Sequence, residues 1–361
     1  MIYTILFSLI KGMSINIKKK IIDESINAEC AFIKLRNDLT KINTASSNKI
    51  LNQINSKSLK DEAQKIIKNC NKNNIKIISY RDINYPKNLF HCVDAPIVVY
   101  CKGERESNNY NLISIVGTRN CSNYGIGQCK EIIDFLKPYN IALVSGLAYG
   151  IDIFVHKRAN LLGIPNYAVL GSGINNIYPK AHLKESEIIS NNGMLISEFL
   201  PNTSPRSYNF PKRNRIIAGM SKCTIVVESP KKGGAMITAR LANDYNREVF
   251  AIPGNNNQSK SLGANWLIEN HQATILNSTD QIINFLGFTK KENYSKNIVN
   301  THPLKKDEKI VHNIIGTEPK MSFNEIQLKS NLSTPKLTVI LTTLEINQYI
   351  ESIIGNFYKL K

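Results

Sequence analysis

The sequence predicts an α/β protein centred on a doubly wound, mostly parallel sheet, with smaller helical pieces before and after it. Short apolar runs bounded by glycine recur through residues 79–288, which is how strands buried on both faces read. Helix-length stretches separate these runs, and strand alternating with helix this often places helices on both faces of one sheet. Residues 1–78 hold no proline and a single glycine and read as helical throughout.

Taken in order, the strands are expected at Leu112–Val116, Ile141–Ser145, Tyr167–Leu170, Met194–Ser197, Thr224–Val227 and Val249–Ile252. The intervening helices are expected over 124–137, 151–162, 182–191 and 236–246. Residues 289–303 (TKKENYSKNIVNTHP) turn polar and read as a linker. From 304 to 361 helical periodicity returns and closes on an apolar and aromatic strand pair. There is no internal repeat.

With 361 residues the chain can build two or three domains and one sizeable core. The apolar opening Met1–Ile10 is too short to span a bilayer, has no basic residues ahead of it and no cleavage-type run of small residues after it. No signal peptide, no membrane partner and a cytoplasmic location are therefore expected. Seven cysteines without a CxxC pair suit reduced thiols better than a disulfide framework or a zinc site. Neither a metal nor a cofactor is expected.

The net charge of +18 makes nucleic acid the first partner to consider, because a basic surface attracts polyanions by releasing counterions. Composition bias is the competing explanation, since 36 of the basic residues are Lys and only ten are Arg. The arginines are more telling: Arg119, Arg206, Arg213, Arg215, Arg240 and Arg247 all fall in the central segment. Their planar forks can hold a phosphate by two hydrogen bonds, which Lys cannot copy.

In a doubly wound sheet ligands sit beyond the carboxyl ends of the strands, where helix N-termini also point. Five loops leave those ends. They carry Gly117-Thr118-Arg119, then Gly146 and Gly150, then Gly171 and Gly173 followed by Tyr178-Pro179-Lys180. The fourth leads to Phe210-Pro211-Lys212-Arg213-Asn214-Arg215, and the fifth runs Lys232-Gly233-Gly234 to Thr238. Glycine-rich turns are common in every α/β fold and carry little weight singly. Five of them converging with basic side chains and with Tyr178, Tyr208 and Phe210 suit a phosphodiester backbone with unpaired bases. For the two aromatics at 208 and 210, ordinary packing is the competing reading.

Six runs resemble a known family: SIVGTRNCSNYG (114–125), SGLAYGID (145–152), GSGINNIYPK (171–180), FPKRNRIIAGMS (210–221), GGAMITARLA (233–242) and REVFAIPG (247–254). In order and spacing they are similar to the DNA-processing protein A (DprA, or Smf) family, and YPKNLFHCVDAPIVVYCKG (85–103) is similar to its lead-in. The resemblance implies an extended Rossmann-like domain that binds single-stranded DNA. It also implies a homodimer that helps load the RecA recombinase during natural transformation or recombination. By position, Arg119, Lys180 and Phe210 match DNA-contacting or motif positions of the family, and Arg213, Asn214 and Arg215 follow in its Arg-Asn-Arg run. Asn209 stands where His is usual, and Gly233-Gly234-Ala235 replaces a Ser-Gly-Ser type of turn. Residues 6–22 look like a degenerate helix-hairpin-helix or SAM-like entry, with Lys11-Gly12-Met13-Ser14 in place of a glycine pair. The tail 304–361 is similar to a winged-helix domain.

Arg119, Lys180, Arg213 and Arg215 are thus expected to position phosphates, Phe210 to stack on a base, and the loop amides around Gly117, Thr118, Gly146, Gly150, Gly171, Gly173, Lys232, Gly233, Gly234 and Thr238 to add contacts. No catalytic residue is expected. The rival reading is a nucleotide-binding enzyme like the phosphoribohydrolases, whose glycine turn is followed by a catalytic carboxylate. Here Ala239, Arg240, Leu241 and Ala242 follow instead, and glycosidic hydrolysis needs a carboxylate at the reacting carbon. A dinucleotide oxidoreductase lacks its third glycine after Gly171-Ser172-Gly173. Asp152 and His156, one helical turn apart, could serve acid/base chemistry; the plainer reading has Asp152 complementing the helix dipole and His156 packing locally. Glu198 and Glu228 are expected to orient Arg213 or Arg215.

Overall fold

The computed structural model describes residues 1–42, 44–288, 304–318, 320–347, 349–353 and 355–360. Among them nine strands join in one sheet: β1 (Lys76–Ser79), β2 (Val98–Gly103), β3 (Asn111–Val116), β4 (Ile141–Ser145), β5 (Asn166–Val169), β6 (Met194–Ser197), β7 (Cys223–Val226), β8 (Glu248–Ala251) and β9 (Thr274–Ile275). Their order is β1-β2-β6-β5-β4-β3-β7-β8-β9. Every pair from β6 to β9 is parallel. The antiparallel β1 and β2 extend the β6 edge. The six strands read from the sequence thus form within a residue or two of their expected places, while β1, β2 and β9 are additional, β1 overlapping the end of the stretch expected to be helical.

Alternation sorts each strand's side chains between two layers. Leu112, Val116 and Val144 meet Ile216 and Ala239 from helices Asn209–Met220 and Gly234–Asp244 on one face. Ile113, Ile115 and Leu143 meet Ile133 and Val155 from helices Asn123–Leu136 and Ile151–Leu162 on the other. Helices therefore cover both faces, which is why apolar residues occupy successive positions of these strands rather than every second one.

Five helices precede the sheet: Ile2–Leu9, Ile15–Asp23, Ala28–Lys41, Ala45–Asn55 and Lys57–Lys72. Ile5, Phe7, Leu35 and Ile66 from these helices bury together with Val98, Tyr100 and Leu195 of the sheet. At the first hairpin Gly12 takes φ +85° and the Ser14 side chain accepts from the Ile17 amide. Lys18 closes the turn from inside: it is buried, its ammonium donates to the Ile10 carbonyl at 2.6 Å, and burial lowers it to about 8.

The chain divides into two compact units, Met1–Phe288 and Thr289–Lys361. The expected linker, 289–303, lies outside the described residues. In the second unit, helices Lys306–Ile315, Phe323–Ser330 and Thr334–Ile346 pack Val311, Ile326, Leu337 and Leu341 together. A small antiparallel sheet of β10 (Met321–Ser322), β11 (Ile350–Ile353) and β12 (Phe357–Leu360) completes it. Among the described residues no helix is long and apolar enough to cross a membrane.

Candidate functional site

Successive strands run outward from β3 in both directions, β4 to β6 on one side and β7 to β9 on the other. The loops beyond β3 and β7 consequently diverge and leave a crevice, the position where doubly wound sheets take ligands. A cavity of about 680 Å³ opens there, lined among others by Gly117, Thr118, Arg119, Tyr178, Arg206 and Phe210.

Backbone contacts fix the first loop. The Thr118 amide donates to the Glu228 carbonyl at 2.7 Å, and the Ile151 amide donates to the Thr118 carbonyl at 3.2 Å. Gly150 has φ +75°, and a Cβ on it would come within 2.2 Å of that Thr118 oxygen, so only glycine fits where the two loops cross. Arg119 is left exposed, its guanidinium carbon 5.8 Å from the Phe210 ring centroid, with no carboxylate partner among the described residues. Phe210, in the first turn of the helix Asn209–Met220, rests against Gly171, where a Cβ would lie 2.6 Å from the ring. The Tyr178 ring, 44% exposed, is 5.6 Å away at 45°.

Gly233 and Gly234 line the opposite wall, at the start of the helix Gly234–Asp244. The first amides of a helix have no partner within it, so this wall can receive an anion. Thr238 is buried one turn further in, and the Asn214 side-chain amide donates to the Gly234 carbonyl at 3.3 Å. Lys232 is exposed just ahead of the glycines. Lys180 is exposed two residues past Tyr178, outside the lining. Gly173 also lies outside it and instead permits a loop crossing, since a Cβ there would be 2.1 Å from the Leu200 carbonyl oxygen.

Arg213 and Arg215 are not free cations of this crevice. Arg213 borders the cavity but is only 4% exposed. Its Nη1 donates to the carbonyls of Gly146 and Val169, and its Nε donates to Asn214 at 3.0 Å. It thereby ties the end of β4 to the end of β5. A Cβ on Gly146 would meet Arg213 at 2.5 Å and Asp152 Oδ2 at 2.6 Å, so the missing side chain is what lets cation and carboxylate share the space. Burial lowers the Arg213 guanidinium to about 10, with Asp152 pulling it back up, and burial likewise raises the Asp152 carboxyl against the pull of Arg213. Arg215 lies outside the lining, where it pairs with Glu198 and donates to the Asp94 carbonyl. Glu198 thus orients Arg215, whereas Glu228 is buried and accepts from the Ser122 amide at 2.9 Å and from its hydroxyl. Arg240 is exposed outside the lining, and Arg247 sits at the amino end of β8.

The sequence places Arg206 among the central arginines and Lys212 in the fourth loop, but assigns neither of them a contact. Arg206 is exposed, lines the cavity and donates to the Tyr208 hydroxyl at 2.8 Å. The Lys212 ammonium lies 5.7 Å from the Tyr208 ring centroid. No glycine marks their loop, so no close backbone approach flags the two side chains as contacts.

His156 is fully buried, and its Nδ1 lies 2.8 Å from Asn166 Oδ1. Burial pushes it down to about 4, so it is neutral at physiological pH and unsuited to shuttle protons there. An unfolded chain accepts a proton near pH 6.5 that the folded chain refuses until about pH 4. The stability this burial leaves intact above pH 6.5 therefore drains away as pH falls toward 4, by about 3 kcal/mol. His156→Gln should flatten the urea-midpoint profile over that interval; an unchanged profile would assign the slope to other groups.

Residues 76–287 match the family model described as DNA recombination-mediator protein A. The chain is 37% identical over 205 residues to Protein Smf of Escherichia coli, covering 56% of this chain and 54% of that protein. It is 35% identical over 207 residues to DNA processing protein DprA of Streptococcus pneumoniae, covering 57% and 73%. It thus spans about half the length of the Escherichia coli relative. The solved DprA from Streptococcus pneumoniae superposes with a TM-score of 0.70 at 28% identity, over 79% of this chain and 97% of that one. DNA processing protein A from Helicobacter pylori, solved for its single-stranded DNA binding mode, superposes with a TM-score of 0.53 at 28% identity, over 59% and 95%. With the model covering more than half of its residues and the whole crevice within the match, the chain belongs to the DNA recombination-mediator protein A family.

Proposed function

We propose that this protein binds single-stranded DNA along the carboxyl edge of the sheet, acts in DNA processing during recombination or transformation, and catalyses no reaction. The observation that carries the reading is the crevice itself. Exposed Arg119 and Arg206 line it together with the Tyr178 and Phe210 rings, and the carboxylate of its lining, Asp152, is buried against Arg213. Cations follow a phosphodiester backbone, aromatic faces take unpaired bases, and helix-start amides add neutral donors. Arg119, Lys180, Lys232 and the amides near Gly233 and Gly234 contact phosphate; Phe210 and Tyr178 stack. Arg213 and Arg215 act from behind, by holding loops in place. The Helicobacter pylori relative's single-stranded DNA binding supports the ligand, and the relatives named for DNA processing support the setting. Delivery of the bound strand to a RecA-type recombinase, assembly as a homodimer and a cytoplasmic location belong to the same proposal.

A phosphoribohydrolase-like activity has less support, because no carboxylate follows Gly233-Gly234 within the first turns of the helix Gly234–Asp244. Fluorescence anisotropy with a single strand and with a duplex of the same sequence tests the reading. Single strand should bind at least about tenfold more tightly, because paired bases cannot reach Phe210 or Tyr178. Equal affinities would leave only a polycation attracted to any nucleic acid.

A further inference from the structure

We infer that the nucleic-acid path does not stop at the crevice but continues onto a lysine stripe of the helix Lys57–Lys72, which forms an accessory track for longer strands. The inference rests on the single-strand reading above and extends it to a part of the chain outside the family match.

Lys65, Lys68 and Lys72 are spaced three and four residues apart, so they share one face of a regular helix over about 10 Å. That face is the outer one, since Leu59, Ala63, Ile66 and Cys70 bury the opposite side. All three lysines are exposed, and none has an ion-pair partner among the described residues. Asp61 lies on the same face one turn before Lys65, without reducing the stripe to neutrality.

Position separates this stripe from a generally basic surface. Asn69, between Lys68 and Lys72, accepts a hydrogen bond at 3.3 Å from Asn175, in the loop that carries Tyr178 and Lys180. Asn175 also donates at 2.7 Å to Asn202, in the loop that carries Arg206. The end of the helix is therefore stitched to both crevice loops through neutral amides. A strand leaving Tyr178 crosses groups that can donate to phosphate before it meets the lysines. Counterion release then adds affinity only when the strand is long enough to reach them.

The test compares oligothymidylates of about eight and about 30 nucleotides, the shorter within the span of one such site and the longer well beyond it. The probes are K65E/K68E/K72E and the milder K65Q/K68Q/K72Q, measured on the full chain by anisotropy. The charge-reversed variant should bind the long strand on the order of tenfold more weakly and the short one within about twofold of wild type, with an unchanged unfolding midpoint. The Gln variant should fall between, with its log–log salt slope on the long strand shallower by about 2. Undiminished binding of the long strand, or an equal loss at both lengths, would overturn the track while leaving the crevice reading in place. If wild type fails to bind either length, the crevice reading falls and the track falls with it.

Discussion

Arg213→Met should unfold at a markedly lower denaturant concentration than wild type, a loss of about 3 kcal/mol or more. The substitution removes the donor that the Gly146 and Val169 carbonyls share, and it strands Asp152 as a buried carboxylate without its cation. Protonation of Asp152 softens the cost, because its carboxyl is already raised by burial. Arg213→Lys should recover only part of the loss, since one ammonium cannot reproduce a fork that spans two strand ends and Asn214 at once. The ends of β4 and β5 should loosen together, and weaker binding should follow as a consequence of misplaced loops. Urea denaturation read beside anisotropy separates the causes. A variant with the wild-type midpoint and a large loss of affinity would make Arg213 a direct phosphate contact and contradict the clamp.

The framework was legible because it rests on local rules. Runs such as Ile141–Ser145 and Met194–Ser197 are apolar at every position up to a closing serine, a pattern that suits a strand covered on both faces, and they fold with those bounds. β1 and β2 fall outside the expected strands: Lys76–Ser79 overlaps the end of the stretch that reads as helical, and Val98–Gly103 carries a glycine only at its end; both join the sheet antiparallel at one side. The site divides along similar lines. Loops marked by glycine, such as Gly117-Thr118-Arg119 and Gly233-Gly234, were found at the crevice because the need for close backbone approach leaves a mark in composition. The role of each arginine was not readable. Arg119, Arg213 and Arg215 look equivalent in sequence, yet one is exposed, one is buried between carbonyls and one is held by Glu198. Which cation remains free depends on carboxylates and carbonyls brought in from distant strands, and no local pattern encodes that. Arg206 stands out in the sequence as a central arginine, but its place at the cavity was not legible, since an unpatterned loop carries it there.

A salt titration of single-strand binding, run on wild type and on Arg119→Ala, tests the central claim that free side-chain cations at the sheet's carboxyl edge hold the strand. With Arg119, Lys180, Arg206, Lys212 and Lys232 exposed there, the log–log slope on a strand of about eight nucleotides should be about −3.5, so a fourfold rise in salt weakens binding on the order of 100-fold. Arg119→Ala should flatten the slope by about 0.7 and weaken binding on the order of tenfold, with little change in the unfolding midpoint, because the exposed guanidinium has no ion-pair partner among the described residues and lies only beside the Phe210 ring. An Arg119→Ala variant with wild-type affinity and wild-type slope would contradict the account and move the strand to another surface.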